Sequence, residues 1–142
     1  MPARLALLAA ALLTVTGCTA STGDPAPGTP PAGATVALDG SVNGRAVRLA
    51  VGQRVTVTLD ANPTTGYGWA LADSAGGALA RDGAPVYTQD PAAPGMAGVG
   101  GEQVWTFRAV RAGAGTLRLD YGRSFEPDAA PAETFSAPVE VR

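Results

Sequence analysis

The feature that most constrains the fold of this chain is a two-residue alternation of apolar and polar side chains after residue 34. Neighbouring side chains of a β-strand point to opposite faces of the sheet, so this period is typical of strands with one buried face. The same region has no convincing helical stripe, and glycine or proline interrupts it at short intervals. The pattern predicts strands over residues 46–51, 54–59, 69–71, 86–88, 104–107, 116–121 and 134–141.

The number and spacing of these segments indicate the class of fold. Seven or eight short strands in about 108 residues is the density of a two-sheet sandwich. We therefore predict an all-β, immunoglobulin-like antiparallel β-sandwich of about seven or eight strands over residues 35–142. The chain has one cysteine, so the sandwich has no internal disulfide and depends on its hydrophobic core. The alternation places in that core Val47, Leu49, Val55, Val57, Leu59, Trp69, Leu71, Trp105, Phe107, Leu117, Leu119, Tyr121, Val139 and Val141.

Composition excludes several classes of function. The chain has no histidine and no lysine, so it cannot form a Ser-His-Asp triad, a Cys-His pair, a histidine zinc site, a Schiff base or a Walker phosphate loop. Its net charge is -2 and its arginines are dispersed, which is unlike the basic surface of a nucleic-acid-binding protein. We therefore expect no cofactor, no metal and no nucleic acid, which leaves binding or carboxylate chemistry.

The N-terminal segment has the pattern of an export signal. Arg4 precedes an apolar run over residues 5–15, which is too short to span a bilayer. The run ends in Val-Thr-Gly-Cys, which resembles the bacterial lipobox, in which the cysteine becomes the lipidated first residue of the mature protein. We predict a signal peptide over residues 1–17, a lipid anchor on Cys18 and a location at the outer face of the cytoplasmic membrane. The alternative is an ordinary secretory signal with an incidental cysteine.

Residues 18–34 are predicted to connect this anchor to the folded domain. The segment after Cys18 is rich in proline and glycine and has no large apolar side chain, so it cannot bury enough surface to fold. We expect it to act as a tether that holds the domain over residues 35–142 off the membrane surface. The domain itself is expected to be a monomer.

Three segments between predicted strands differ from ordinary connections. The first is Asn-Pro-Thr-Thr-Gly at residues 62–66, where the proline restricts the backbone and the glycine can supply a positive φ, so the loop is expected to be stiff. The second, residues 94–101, is rich in glycine, which allows its backbone to approach another surface closely. The third places Arg123 near the aromatic Phe125, and both residue types are common at interfaces. Each segment alone is also compatible with a simple turn.

Together, these motifs resemble the chagasin family of proteinaceous inhibitors of papain-like cysteine peptidases. The chain has NPTTGYxW at residues 62–69, GxGG at residues 98–101 before a strand with tryptophan, and Arg-x-aromatic after a Leu-x-Leu-x-Tyr strand. The resemblance covers residues 35–142. It departs from the family at the third motif, where members usually have Arg-Pro-Trp and this chain has Arg-Ser-Phe. The missing proline and the smaller ring predict a less rigid loop with a smaller contact face.

The resemblance implies a reversible, non-covalent inhibitor, not an enzyme, in which three loops at one end of the sandwich enter the peptidase cleft. The first loop would lie over the catalytic cysteine with Thr64 and Thr65 nearest to it, and the other two would contact the flanking walls. The implied peptidase-binding residues are Asn62, Pro63, Thr64, Thr65, Gly66, Tyr67, Gly98, Val99, Gly100, Gly101, Arg123, Ser124 and Phe125.

Two other functions are compatible with the residues. Catalysis would need a carboxylate pair, for which Asp120 and Glu126 beside the third loop are the candidates, although each is more simply a solvated surface group. A non-catalytic binding module of the cell envelope could use the same loops to recognise another protein or a carbohydrate, because a fold does not fix function. A sugar site would more typically present exposed aromatic and amide side chains than the small, backbone-rich segment at residues 62–66.

Overall fold

The computed structural model describes residues 33–92, 94–96 and 98–142. The predicted signal peptide, Cys18 and almost all of the predicted tether lie outside the described residues. Within the described part of the chain, no helix is long and apolar enough to cross a membrane. The strands of this part are β1 (Thr35–Asp39), β2 (Val47–Leu49), β3 (Arg54–Ala61), β4 (Tyr67–Ser74), β5 (Leu79–Arg81), β6 (Val86–Gln89), β7 (Gly101–Ala109), β8 (Gly113–Arg123) and β9 (Glu133–Val141).

The strands form two sheets with one core between them. In sheet A the order is β1-β3-β7, and β5 and β6 both pair with the remaining side of β7. In sheet B the order is β2-β9-β8-β4. The β1–β3 and β2–β9 pairs are parallel, and the other pairs described are antiparallel. The predicted all-β sandwich is confirmed, although the described residues form nine strands and two edge pairs are parallel.

The two parallel pairs arise because the chain changes sheets between β1 and β2. β1 runs along β3 at the edge of sheet A, a 3₁₀ turn over Gly40–Val42 follows, and β2 then runs along β9 at the edge of sheet B. A crossing between sheets is not a hairpin, so neither strand has to be antiparallel to its neighbour. The alternation did not predict β1 and β5, and each of these strands has only one buried residue.

The predicted strand over residues 46–51 is wrong at its C-terminal end. β2 ends at Leu49, and Val51 is 46% exposed. The residues that follow β2 form a tight turn, in which the Gln53 N–H donates to Ala50 O (3.0 Å) and the Ala50 N–H donates to Gln53 Oε1 (3.0 Å). Because this turn is held by two hydrogen bonds, strand β2 ends before it reaches Val51.

The core lies between the sheets and follows the predicted alternation. Most of the predicted core residues are buried, and Val47, Leu71 and Tyr121 are half-buried against them. The largest residue that the alternation did not assign to the core is Phe135, which lies on β9 in phase with the buried Val139. The other buried apolar residues outside the predicted set are Leu38, Ala61, Ala75, Ala78, Leu79, Ala109 and Ala137.

The directions of the strands bring three connections to the same end of the sandwich. β3, β6 and β8 end there, and β4, β7 and β9 begin there, because Ala61 pairs with Gly101 and Tyr67 pairs with Arg123. We call this the loop end. β1 begins at the opposite end, where Thr35 pairs with the first residue of β3.

Candidate functional site

Three loops form the loop end. Loop A, residues 62–66, joins β3 to β4; loop B, residues 90–100, joins β6 to β7; and loop C, residues 124–132, joins β8 to β9. All the residues that the resemblance implies for peptidase binding lie in these loops or on the strand residues next to them. The structure therefore brings the three motifs together, although they are far apart in the sequence.

Loop A is a single 3₁₀ turn whose side chains are bonded back to its first residue. The N–H groups of Thr65 and Gly66 donate to the carbonyls of Asn62 (3.2 Å) and Pro63 (3.0 Å). The Thr65 hydroxyl also donates to Asn62 O (2.6 Å), and the Thr64 hydroxyl donates to Asn62 Oδ1 (2.5 Å). Gly66 ends the turn at φ = +82°, a left-handed conformation that glycine adopts without strain. Loop A is thus exposed beyond Asn62 and internally bonded.

Asn62 also joins loop A to the rest of the loop end. Its backbone N–H donates to the Tyr121 hydroxyl on β8 (3.0 Å), and its Nδ2 donates to Gly98 O in loop B (3.1 Å). The Tyr121 ring packs between the rings of Tyr67 and Trp69, with centroid distances of 5.5 and 5.0 Å. Asn62 is therefore the residue at which loop A, loop B and strand β8 meet.

A side chain of the preceding strand is bonded to the middle of loop B. Gln89 Nε2 donates to Met96 O (2.8 Å), and the Gly95 N–H donates to Gln89 Oε1 (3.2 Å). The Met96 side chain is 60% exposed, so this loop presents one large apolar group. The Asp90 N–H donates to Gly100 O (3.2 Å) and closes the loop where β7 begins.

The end of the GxGG motif requires glycine because two strands approach closely there. A Cβ atom at Gly101 would collide with the carbonyl oxygen of Thr88 and would lie 2.8 Å from the Tyr87 hydroxyl. At Gly100, a Cβ would lie 3.4 Å from Ala61 O, which is tight but possible. The predicted close approach of the glycine-rich segment is therefore an approach to strand β6 and to the end of β3.

Loop C lies against loop A. The Arg123 guanidinium is 4.8 Å from the centroid of the Tyr67 ring and 5.8 Å from that of Phe125, and its Nη1 is 3.6 Å from Glu126 Oε1. The Phe125 side chain is 66% exposed, and its Cε1 lies 3.0 Å from the position that a Cβ on Gly66 would occupy. The start of loop C is thus held by contacts with β4 and loop A.

A glutamine links the two sheets just below these loops. Gln103 lies on β7, and its Oε1 accepts a hydrogen bond from the Trp69 N–H on β4 (3.1 Å). Its Nε2 donates to Trp69 O at 3.5 Å, and the Trp69 indole N–H donates to Asp60 O at the end of β3 (2.8 Å). Gln103, Tyr121 and Met96 were not among the predicted site residues. The sequence contains a hint that Gln103 has an inward-facing role, because this polar residue lies in phase with the buried Trp105.

Loop A stands between two grooves. One groove, of about 770 Å³, is lined by Asn62, Gln89 and Gly101 among others, and the second, of about 740 Å³, is lined by Pro63 and Arg123 among others. A loop with a groove on each side has the shape of a ridge. This shape is suited to entering a concave surface on a partner.

The two carboxylates that the sequence offered for catalysis, Asp120 and Glu126, are paired with other groups. Asp120 Oδ1 accepts hydrogen bonds from Arg118 Nε (2.9 Å) and from the Thr134 hydroxyl (3.0 Å), while Glu126 is paired with Arg123. The described residues contain no group of acidic or cysteine side chains that could hold a metal ion.

An all-β sandwich with an exposed ridge between two further loops has the shape of a protein that binds a partner through its loop end. The model of the Chagasin family peptidase inhibitor I42 matches residues 48–139 of this chain. Amoebiasin-1 of Entamoeba histolytica is 33% identical over 100 residues, which cover 70% of this chain and 93% of that protein. The chain belongs to the chagasin family of peptidase inhibitors.

Solved structures show the same fold. The cysteine protease inhibitor EhICP2 of Entamoeba histolytica has a TM-score of 0.66 at 19% identity, over 76% of this chain and 96% of that chain. Amebosin has a TM-score of 0.61 at 33% identity, over 78% of this chain and 100% of that chain. The resemblance that the motifs indicated is confirmed. Because the family consists of peptidase inhibitors, the prediction that the chain is not an enzyme is confirmed as well.

Proposed function

We propose that this chain is a reversible, non-covalent inhibitor of papain-like cysteine peptidases and that its loop end fills the active-site cleft. Membership of the chagasin family supports inhibition, and the fold that it shares with a cysteine protease inhibitor supports this class of target. The single observation that carries the proposal is loop A, an exposed ridge that is bonded internally and stands between two grooves. A partner with a narrow cleft fits this shape.

In the proposed complex, loop A lies over the catalytic cysteine, with Thr64 and Thr65 nearest to it. Both threonine hydroxyls donate to Asn62, so the turn keeps its shape without help from the partner. A stiff loop loses little conformational entropy on binding, which favours a tight complex. Inhibition then results from occupancy, because the turn does not open into the extended conformation that cleavage needs.

Loops B and C contact the two walls of the cleft in this proposal. Loop B and the first residue of β7 offer the backbone of the GxGG segment, and the other wall meets Arg123 at the end of β8 and Phe125 in loop C. The sequence predicted a less rigid loop C because Ser124 replaces a proline. The contacts of Arg123 with Tyr67 and Glu126, and of Phe125 with Gly66, support a held loop despite that replacement.

A titration of papain with residues 21–142 tests the function. Hydrolysis of a fluorogenic peptide is followed, with trypsin as the control peptidase and circular dichroism as the check that the domain is folded. Stoichiometric loss of papain activity with unchanged trypsin activity is the expected result. A folded domain that leaves papain active at micromolar concentration contradicts the proposal and favours an envelope binding module for another protein or a carbohydrate. Light scattering in the same samples tests the expected monomer.

We also propose that the chain is anchored at the outer face of the cytoplasmic membrane through lipidated Cys18, with residues 19–34 as the tether. The position of the N-terminal strand in the fold is compatible with this arrangement. β1 begins at Thr35, at the end of the sandwich opposite the loop end, so an anchor on its N-terminal side leaves the loops free for a soluble peptidase. Metabolic labelling with a radioactive fatty acid tests the anchor. Label that persists in Cys18→Ser, or a wild-type chain that remains unlabelled and soluble, contradicts it.

A further inference from the structure

A hydrogen bond joins the first residue of loop A to strand β8 of sheet B. Asn62 follows the last residue of β3 in sheet A, and its backbone N–H donates to the hydroxyl of Tyr121 on β8 in sheet B (3.0 Å). The ladder between β3 and β7 ends one residue earlier, at the pair of Ala61 and Gly101. The tyrosine hydroxyl therefore accepts the bond from the first N–H beyond the ladder.

We propose that Tyr121 is a positioning residue that sets the pose of loop A through Asn62 without touching the peptidase. This inference rests on the proposed function. Asn62 accepts three hydrogen bonds from loop A, one from the Thr65 N–H and one from each threonine hydroxyl. Fixing the Asn62 backbone therefore fixes Thr64 and Thr65 as well.

The Tyr121 ring is itself held in place, so its hydroxyl is a fixed point. The ring packs between Tyr67 and Trp69, and Trp69 is bonded to Asp60 O and to Gln103. Tyr121 is half-buried beneath loop A. Replacing it with phenylalanine keeps the ring and its packing and removes only the hydroxyl, so the substitution isolates the bond to Asn62.

The expected effect of Tyr121→Phe is a loop A that visits more conformations. If the fraction of molecules in the binding conformation falls to a tenth, the apparent inhibition constant rises by about tenfold. The association rate constant should fall by a similar factor, whereas the dissociation rate constant should change little, because the peptidase holds the loop in the complex. A residue that touched the peptidase would instead raise mainly the dissociation rate.

Thr134→Val is the matched control. Thr134 lies on the neighbouring strand β9, and its hydroxyl donates to Asp120 Oδ1 (3.0 Å), so the variant also removes one hydroxyl hydrogen bond from sheet B. No bond from Thr134 to loop A is found among the described residues. Both variants are compared with the wild type by association and dissociation rates against papain, by melting temperature and by amide hydrogen exchange.

The exchange rate of the Asn62 amide makes the test independent of the peptidase. In Tyr121→Phe this amide should exchange faster than in the wild type, and in Thr134→Val it should not. An unchanged Asn62 exchange rate, an unchanged association rate constant, or an equal loss of association in Thr134→Val overturns the positioning role. If the wild type does not inhibit papain at all, the proposed function is wrong, and the exchange rate of Asn62 alone then decides whether Tyr121 fixes loop A.

Discussion

The contact between Gly66 and Phe125 provides a sharp test of the coupling between loops A and C. Gly66 has φ = +82°, and a Cβ at this position would lie 3.0 Å from Phe125 Cε1. A left-handed backbone costs an L-residue about 1–2 kcal/mol, so Gly66→Ala should lower the free energy of unfolding by about that amount. The added methyl must also displace the Phe125 ring, which is 66% exposed and can move without further loss of core packing.

The displacement of Phe125 should appear in binding more than in stability. Because the proposed complex uses both Gly66 and Phe125, we expect Gly66→Ala to raise the inhibition constant for papain by about tenfold or more, which corresponds to ~1.4 kcal/mol. Gly52→Ala is the matched control. Gly52 has φ = +88° in the turn at the opposite end of the sandwich, and no atom would lie within 4 Å of an added Cβ.

Urea unfolding and the inhibition constant are measured for both variants. Gly66→Ala and Gly52→Ala should lose similar stability, and only Gly66→Ala should lose inhibition. The same substitution in a Phe125→Ala background should have a smaller effect on inhibition, because the clash is then absent. The coupling of loops A and C is refuted if Gly66→Ala keeps the wild-type inhibition constant. It is also refuted if Gly66→Ala raises the inhibition constant by the same factor in the wild type and in the Phe125→Ala background.

Three further substitutions test other parts of the loop end. Gly101→Ala should lower the free energy of unfolding by about 1–3 kcal/mol, because its Cβ collides with the backbone of β6, and the neighbouring Gly100→Ala should cost less in the same urea titration. Gln103→Leu should cost about 1–3 kcal/mol, because it leaves the Trp69 N–H without its acceptor; no change in unfolding would show that this bond is dispensable. Arg123→Ala should raise the inhibition constant for papain by about tenfold, and an unchanged constant would remove Arg123 from the proposed interface.

The sequence predicts the sandwich and most of its core because alternation is a local property of each strand. Leu117 and Leu119 follow one another on β8 at the predicted spacing, and both are buried. The strands that the alternation missed, Thr35–Asp39 and Leu79–Arg81, have only one buried residue each. β1 is placed by pairing with β3 and β5 by pairing with β7, which no local pattern reports.

The sequence indicated the three loops that meet at one end of the sandwich, but not the bonds between them. The proline and glycine of loop A predict a stiff turn, and the structure has a 3₁₀ turn there that ends at Gly66 with a positive φ. The bond from Asn62 to Tyr121 depends on how two sheets pack, so it cannot be read from either segment alone. The same holds for the contact between Arg123 and Tyr67, which also depends on the pairing of two strands that are far apart in the sequence.

The most direct test of the central claim is the inhibition constant of Thr65→Asp against papain. Thr65 lies at the exposed ridge of loop A, so its replacement should bury an unpaired charge in the cleft and weaken inhibition by about a hundredfold or more. Thr116→Asp, at an exposed position of β8 away from the loop end, is the control and should inhibit as the wild type does. A folded Thr65→Asp with a wild-type inhibition constant would contradict the claim that loop A enters the active-site cleft.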